Sequence, residues 1–128
     1  MRKIRNIYKT IAWAVIIFVL SSLSGNQLDK LPFLGIPHID KVGHMGIYFI
    51  LALLLISSIS NMKNSLKIFI AGLLAFTIAA IYGGIIELLQ QYVFIKRSMD
   101  LYDFLANCTG ALIAVLLYPV IKKRNWIA

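Results

Sequence analysis

Apolar residues fall into four long runs, at about 7–23, 42–59, 66–89 and 103–121, with polar stretches between them. Each run is near the roughly 20 residues that an α-helix needs to cross a bilayer. The pattern predicts an all-α fold, an integral-membrane four-helix bundle, as a single domain spanning 1–128.

The connections differ in kind. Gly25, Pro32, Gly35 and Pro37 break any regular helix through 24–41. Phe33, Leu34 and Ile36 keep that segment apolar enough to lie at the membrane interface. Asp40 is placed to cap the second run, because a carboxylate just before an apolar stretch accepts the free N–H groups of the first turn. Asn61, Lys63, Asn64 and Ser65 make a short polar turn joining two antiparallel helices. Residues 90–102 form a second longer connection with Lys96, Arg97, Ser98 and Asp100. Pro119 and the basic Lys122, Lys123 and Arg124 close the fourth run, with Trp126 as an interfacial anchor.

The first run follows Arg2, Lys3, Arg5 and Lys9, and Ser21, Ser22 and Ser24 lie at its end. That is also the build of a signal peptide. A retained first helix is the expectation, because everything downstream is equally apolar. Basic residues set the orientation. Nine of the 13 Lys and Arg lie at 2–9, 63–67 and 122–124, and the other four are Lys30, Lys41, Lys96 and Arg97. The excess of positive charge places both termini in the cytoplasm. All five acids, Asp29, Asp40, Glu87, Asp100 and Asp103, then fall on the opposite side.

Composition narrows the class. The chain is 60% hydrophobic and 14% charged, against about 25% charged in a soluble domain, and its mean hydropathy is +0.83. The net charge of +8 does not indicate nucleic acid, because the basic residues flank apolar runs instead of forming a stripe among aromatics. It suits a protein facing anionic lipid. The single cysteine, Cys108, excludes a disulfide within the chain and reads as a small buried residue.

Chemistry concentrates where three runs meet the outer side. Asp40, His44 and Tyr48 recur at i, i+4 and i+8, and Asp103 and Asn107 at i and i+4 with Gly110 one turn on. Ala75, Ala79, Gly83 and Glu87 also recur every four residues. That stripe is small until its carboxylate, which lets a neighbouring helix approach and turns Glu87 into the bundle. A carboxylate one or two turns inside a bilayer is costly unless it is paired or near water, and His44, Lys41 and Arg97 are its candidate partners.

Each residue also has a plainer role. Asp40 and Asp100 suit helix caps, Asn107 an interhelical hydrogen bond, and His44 a packing histidine. Arg97 suits a headgroup anchor, and Tyr48, Tyr82, Tyr92 and Tyr102 the membrane interface. Convergence from three helix ends favours a shared site instead. Its chemistry stays open between acid–base work by His44 and a carboxylate, phosphate or carboxylate binding by Arg97, and a divalent cation on Asp, His and Glu. The sequence names no cofactor.

Three stretches together, DKVGHMGIYFILALLL (40–55), YGGIIELLQ (82–90) and RSMDLYDFLANCTG (97–110), resemble the VanZ-like family of small bacterial membrane proteins. The resemblance rests on Asp-Lys-x2-His followed by Tyr, Glu-x2-Gln, and Arg-x2-Asp-x2-Asp-x3-Asn-x2-Gly, in that order. It carries to Asp40, Lys41, His44, Tyr48, Glu87, Gln90, Arg97, Asp103, Asn107 and Gly110, with Asp100 a looser match. Met45 and Gly46 depart from it where bulkier residues are common. What it implies is a minimal cell-envelope protein in the bacterial membrane, binding or modifying a lipid- or glycan-linked group outside the cytoplasm. His44, Glu87 and Asp103 would be catalytic, and Asp40, Lys41, Tyr48, Gln90, Arg97, Asp100 and Asn107 would bind substrate. Partners would be membrane lipid and a lipid-linked cell-wall precursor or lipoglycopeptide, because the family takes its name from a teicoplanin-resistance protein. A lipid-headgroup enzyme, a proton-coupled transporter titrating Glu87 and a helix-packing scaffold are the rival readings.

Overall fold

The computed structural model describes residues 2–23, 39–59, 65–94 and 100–123. They form four helices: α1 (Arg2–Ser22), α2 (Ile39–Ile59), α3 (Ser65–Tyr92) and α4 (Leu101–Lys123). The segment 24–38 expected at the interface, the turn expected at 61–64, Arg97 and Trp126 lie outside the described residues.

Apolar periodicity explains the helices, and the placement of small residues explains their packing. The core joins Ile17 of α1, Tyr48, Leu51 and Ala52 of α2, Ala79 of α3, and Ala111 and Ala114 of α4. A second cluster of Ile56, Ala71, Ala75 and Tyr118 continues it. Six alanines in these positions let backbones approach, which is how helices gain contact where lipid offers no hydrophobic drive between them. Many of the large apolar side chains point outward instead: Ile11, Phe69, Leu73, Ile85, Leu112 and Leu116 are all exposed. That inversion suits a lipid environment.

By length and composition, α2, most of α3 and most of α4 can cross a bilayer; the apolar stretch of α1, Ile7–Ser22, is shorter. Arg2, Lys3 and Arg5 occupy its first turns. Helix α1 is nonetheless tied into the bundle. Thr10 Oγ1 and Ser58 Oγ lie 2.8 Å apart, Trp13 Nε1 donates to Ile47 O at 2.9 Å, and the Tyr82 hydroxyl donates to Ala14 O. Helix α2 touches the other three, and its contact with α4 is the most extensive; α1 and α4 do not meet among the described residues. Contacts at 41 with 103, 44 with 107 and 45 with 110 keep nearly the same offset, so α2 and α4 run parallel. Their first turns therefore share one end of the bundle with the last turns of α3.

Helix ends on α2, α3 and α4 depart from the sequence expectation. Helix α2 begins at Ile39, which places Asp40 inside the first turn instead of at the cap; its carboxylate turns to Lys41. Helix α3 continues to Tyr92, because Gln90 and Gln91 are good helix formers and polarity alone does not stop a helix. Helix α4 starts at Leu101 and runs through Pro119 to Lys123. A proline removes only its own N–H bond to the residue four back, and the ring of this one is exposed. Cys108 is half-buried, not buried as expected.

Candidate functional site

Lys41 is the hub of the polar end. Its Nζ donates to Asp40 Oδ2 at 2.9 Å, Asp100 Oδ2 at 2.8 Å and Asp103 Oδ1 at 2.6 Å. One ammonium thus gathers a carboxylate from its own helix, one from the residue before α4 and one from the first turn of α4. Asp103 is the innermost of the three, with its side chain 11% exposed against 52% for Asp40.

One turn deeper, His44 stands between α2 and α4. With the Asn107 amide in its present orientation, His44 Nδ1–H donates to Asn107 Oδ1 at 2.9 Å. The other ring nitrogen, Nε2, faces Asp103 Oδ2 at 3.5 Å, longer than a hydrogen bond between such atoms. Glu87 enters from α3. It is 2% exposed, and its Oε2 accepts the backbone N–H of Asp100 at 3.1 Å. Among the described residues its buried Oε1 finds no partner, nor do the buried Tyr48 hydroxyl, Gln90 Oε1 and Asn107 Nδ2. One donor atom each from His44, Glu87 and Asp103 can be chosen such that all lie within 4.8 Å of one another. Among the described residues, four carboxylates face one ammonium and one imidazole.

Asp100 joins the charged cluster to the helix end. Its Oδ1 accepts the Tyr102 N–H at 2.8 Å, capping α4. The Lys41 ammonium holds its carboxyl below the usual carboxylate range, outweighing the opposing effect of partial burial. Two substitutions separate these jobs. Asp100→Asn keeps the cap and removes the charge, whereas Asp100→Ala removes both, so alanine is expected to lower stability by about 1 kcal/mol more in thermal melts. The lowered native pKa also fixes a sign. The advantage of Asp100 over Asn is present above the ordinary carboxylate range and fades as pH falls through the native value.

The structure brings Asp40, Lys41, His44, Glu87, Asp100, Asp103 and Asn107 together. Tyr48 lies inward of them, fully buried, with its ring 6.4 Å from that of Tyr82. Gln90 turns away: its Nε2 donates to Ser21 O at 3.2 Å, joining α3 to α1. Arg97 lies outside the described residues. Glu87 pairs with a main-chain N–H instead of Lys41, and Lys41 serves the three aspartates. Gly110 sits where α2 and α4 come closest, and a Cβ there would run into Met45 O.

The residue pattern did not reveal a groove of about 250 Å³ between α3 and α4, lined by Gly84, Glu87, Leu88, Leu101 and Phe104. Its wall is apolar and it opens sideways, beside the exposed Leu88 and Leu101. Glu87 is the residue common to this groove and the charged cluster. Gly84 and Phe104 shape the groove, and the only sequence signal for them was a second glycine beside Gly83.

Comparisons with known proteins extend this picture. The model of the VanZ/LLP1 family matches residues 2–122. An uncharacterised protein of the fission yeast Schizosaccharomyces pombe is 28% identical over 111 residues, which cover 85% of this chain and 64% of that protein. The match therefore spans less than two thirds of its yeast relative. No solved structure matches the chain.

Proposed function

The chain belongs to the VanZ/LLP1 family, and we propose that it holds the polar head of a membrane amphiphile in the charged cluster and part of its apolar chain in the α3–α4 groove. The observation that carries this reading is the double position of Glu87, whose carbons wall an apolar groove while its carboxylate accepts the Asp100 N–H at the charged cluster. A ligand reaching both must be apolar at one end and polar at the other. The groove is smaller than the roughly 300–1,000 Å³ of a site enclosing a whole small molecule, as suits one segment of a longer chain. The site also lies at a headgroup's depth, since Glu87 is about one and a half turns from the end of α3.

A relative in a eukaryote supports a ligand common to many membranes, such as a phospholipid, over a cell-wall precursor. The basic-residue count supports a site facing away from the cytoplasm. In a bacterial membrane, a lipid-bearing glycopeptide such as teicoplanin or its lipid-linked target is an amphiphile of the same build, and susceptibility to it is the corresponding phenotype. The placement argues against proton transport. The described acids, Asp40, Glu87, Asp100 and Asp103, all sit at one end, where a path would need ionisable groups across the bilayer.

Lipid retained through purification in a mild detergent tests the reading. Wild-type protein should keep one lipid class above its share of the membrane. Glu87→Gln should lower that retention about 10-fold, the effect of one charge-assisted hydrogen bond. Gly84→Leu should do the same by filling the groove, since a Cβ at 84 meets only the edge of Phe104 at 3.6 Å. Gly46→Leu, where nothing lies within 4 Å, is the control. Equal retention in all four proteins would sink the proposal.

A further inference from the structure

We propose that His44, Glu87 and Asp103 bind a divalent transition cation, Zn²⁺ or Mn²⁺, at the inner edge of the charged cluster. Each of the three has one polar atom already engaged and one uncommitted. His44 Nδ1–H is held by Asn107 Oδ1 at 2.9 Å, leaving Nε2. Asp103 Oδ1 is held by Lys41 at 2.6 Å, leaving Oδ2. Glu87 Oε2 is held by the Asp100 N–H at 3.1 Å, leaving Oε1, which is buried and meets no partner among the described residues. Outer partners of this kind orient the ligands of a metal, and an imidazole donating through its other nitrogen is the commonest of them.

The spacing agrees. Two ligand atoms each about 2.0–2.2 Å from a tetrahedral cation stand roughly 3.3–3.6 Å apart. His44 Nε2 and Asp103 Oδ2 are 3.5 Å apart, too far for a good hydrogen bond and near enough for a shared cation. Donor atoms of all three residues lie within 4.8 Å of one another, close enough for one cation to draw the set together. The charge also agrees. Among the described residues, four carboxylates gathered at one end of a membrane bundle exceed the single positive charge of Lys41, and a divalent cation offsets two of them. One imidazole with two carboxylates suits Zn²⁺ or Mn²⁺, because the nitrogen ligand disfavours Mg²⁺ and Ca²⁺.

In one respect the inference deepens the amphiphile reading and rests on it. An anionic phosphate headgroup would be repelled by this cluster, and a cation with open coordination positions lets one approach. Lys41, already committed to three carboxylates, is poorly placed to do so.

The test uses the full chain in detergent, stripped with a chelator, dialysed, and titrated calorimetrically with ZnCl₂ and separately with MnCl₂. One equivalent of at least one metal should bind. Binding should fall at least 10-fold in His44→Ala, Glu87→Gln and Asp103→Asn and stay unchanged in Thr77→Ala, whose exposed hydroxyl donates to Leu73 O within α3, with circular dichroism confirming that each variant is helical. A stoichiometric Co²⁺ complex of wild-type protein with visible ligand-field bands reports the same site without any substitution. No binding of either metal, or binding indifferent to His44 and Glu87, overturns the proposal. Lipid retention is measured on the chelator-stripped protein in parallel. Retention that still depends on Glu87 while no metal binds leaves the amphiphile reading standing and removes the cation alone.

Discussion

Gly110→Ala is expected to destabilise the protein by about 3 kcal/mol, the upper end for overpacking a tight contact. The added Cβ would fall on the carbonyl oxygen of Met45, with the Met45 carbonyl carbon only 2.9 Å away. A flexible side chain could swing aside, but a helix backbone cannot, so α2 and α4 must separate. The separation would act on the site directly. Asp103 and Asn107 lie on the turns of α4 just before Gly110, and their partners Lys41 and His44 lie on the turn of α2 just before Met45. Loss of stability in denaturant titration should therefore come with loss of retained lipid. Gly46→Ala, in open space on the same helix as Met45, should do neither beyond the change in helix propensity.

Lys41→Met is expected to cost about 2–3 kcal/mol, below the 3–5 kcal/mol of a fully buried ion pair because Lys41 keeps some contact with water. Its side chain is 25% exposed, and Asp103 opposite it only 11%. Methionine keeps the length of the stem and removes the one charge that holds Asp40, Asp100 and Asp103 together. The carboxylate left worst off is Asp103, the least exposed of the three, whose other oxygen stands 3.5 Å from His44 Nε2. Lys41→Met combined with Asp103→Asn should recover about half of the loss, because the double variant no longer strands a buried charge. Strict additivity in that cycle would mean that Lys41 acts through its stem and not through its ammonium.

How far the sequence revealed this arrangement depended on whether it reported a face or a partner. Helical spacing placed Ala75, Ala79, Gly83 and Glu87 on one buried face, and all four are buried. The order of apolar runs put the starts of α2 and α4 beside the end of α3. Periodicity could not assign partners, since that depends on the axial register of two helices and on rotamers. Lys41, a flanking charge by its position, reaches three carboxylates, and Glu87 is satisfied by a backbone N–H that no side-chain pattern reveals. Gln90, three residues from Glu87, looked like part of the same site, but it stands about 60° further round the helix and its amide reaches Ser21 instead. The groove went unseen because an absence of side chain at Gly84 acquires meaning only once Phe104 is packed opposite.

The central claim is that one ligand spans the groove and the charged cluster, and photocrosslinking tests it most directly. A photoreactive phenylalanine analogue replaces Leu101, which lines the groove, or Leu116, which is exposed elsewhere on α4. Irradiation in native membranes is followed by mass spectrometry of the adducts. The probe at 101 should capture one headgroup class above its share of the bilayer, and that enrichment should vanish with Glu87→Gln while the probe at 116 reports bulk lipid throughout. Adducts at 101 that mirror bulk composition, or an enrichment indifferent to Glu87, would contradict the account.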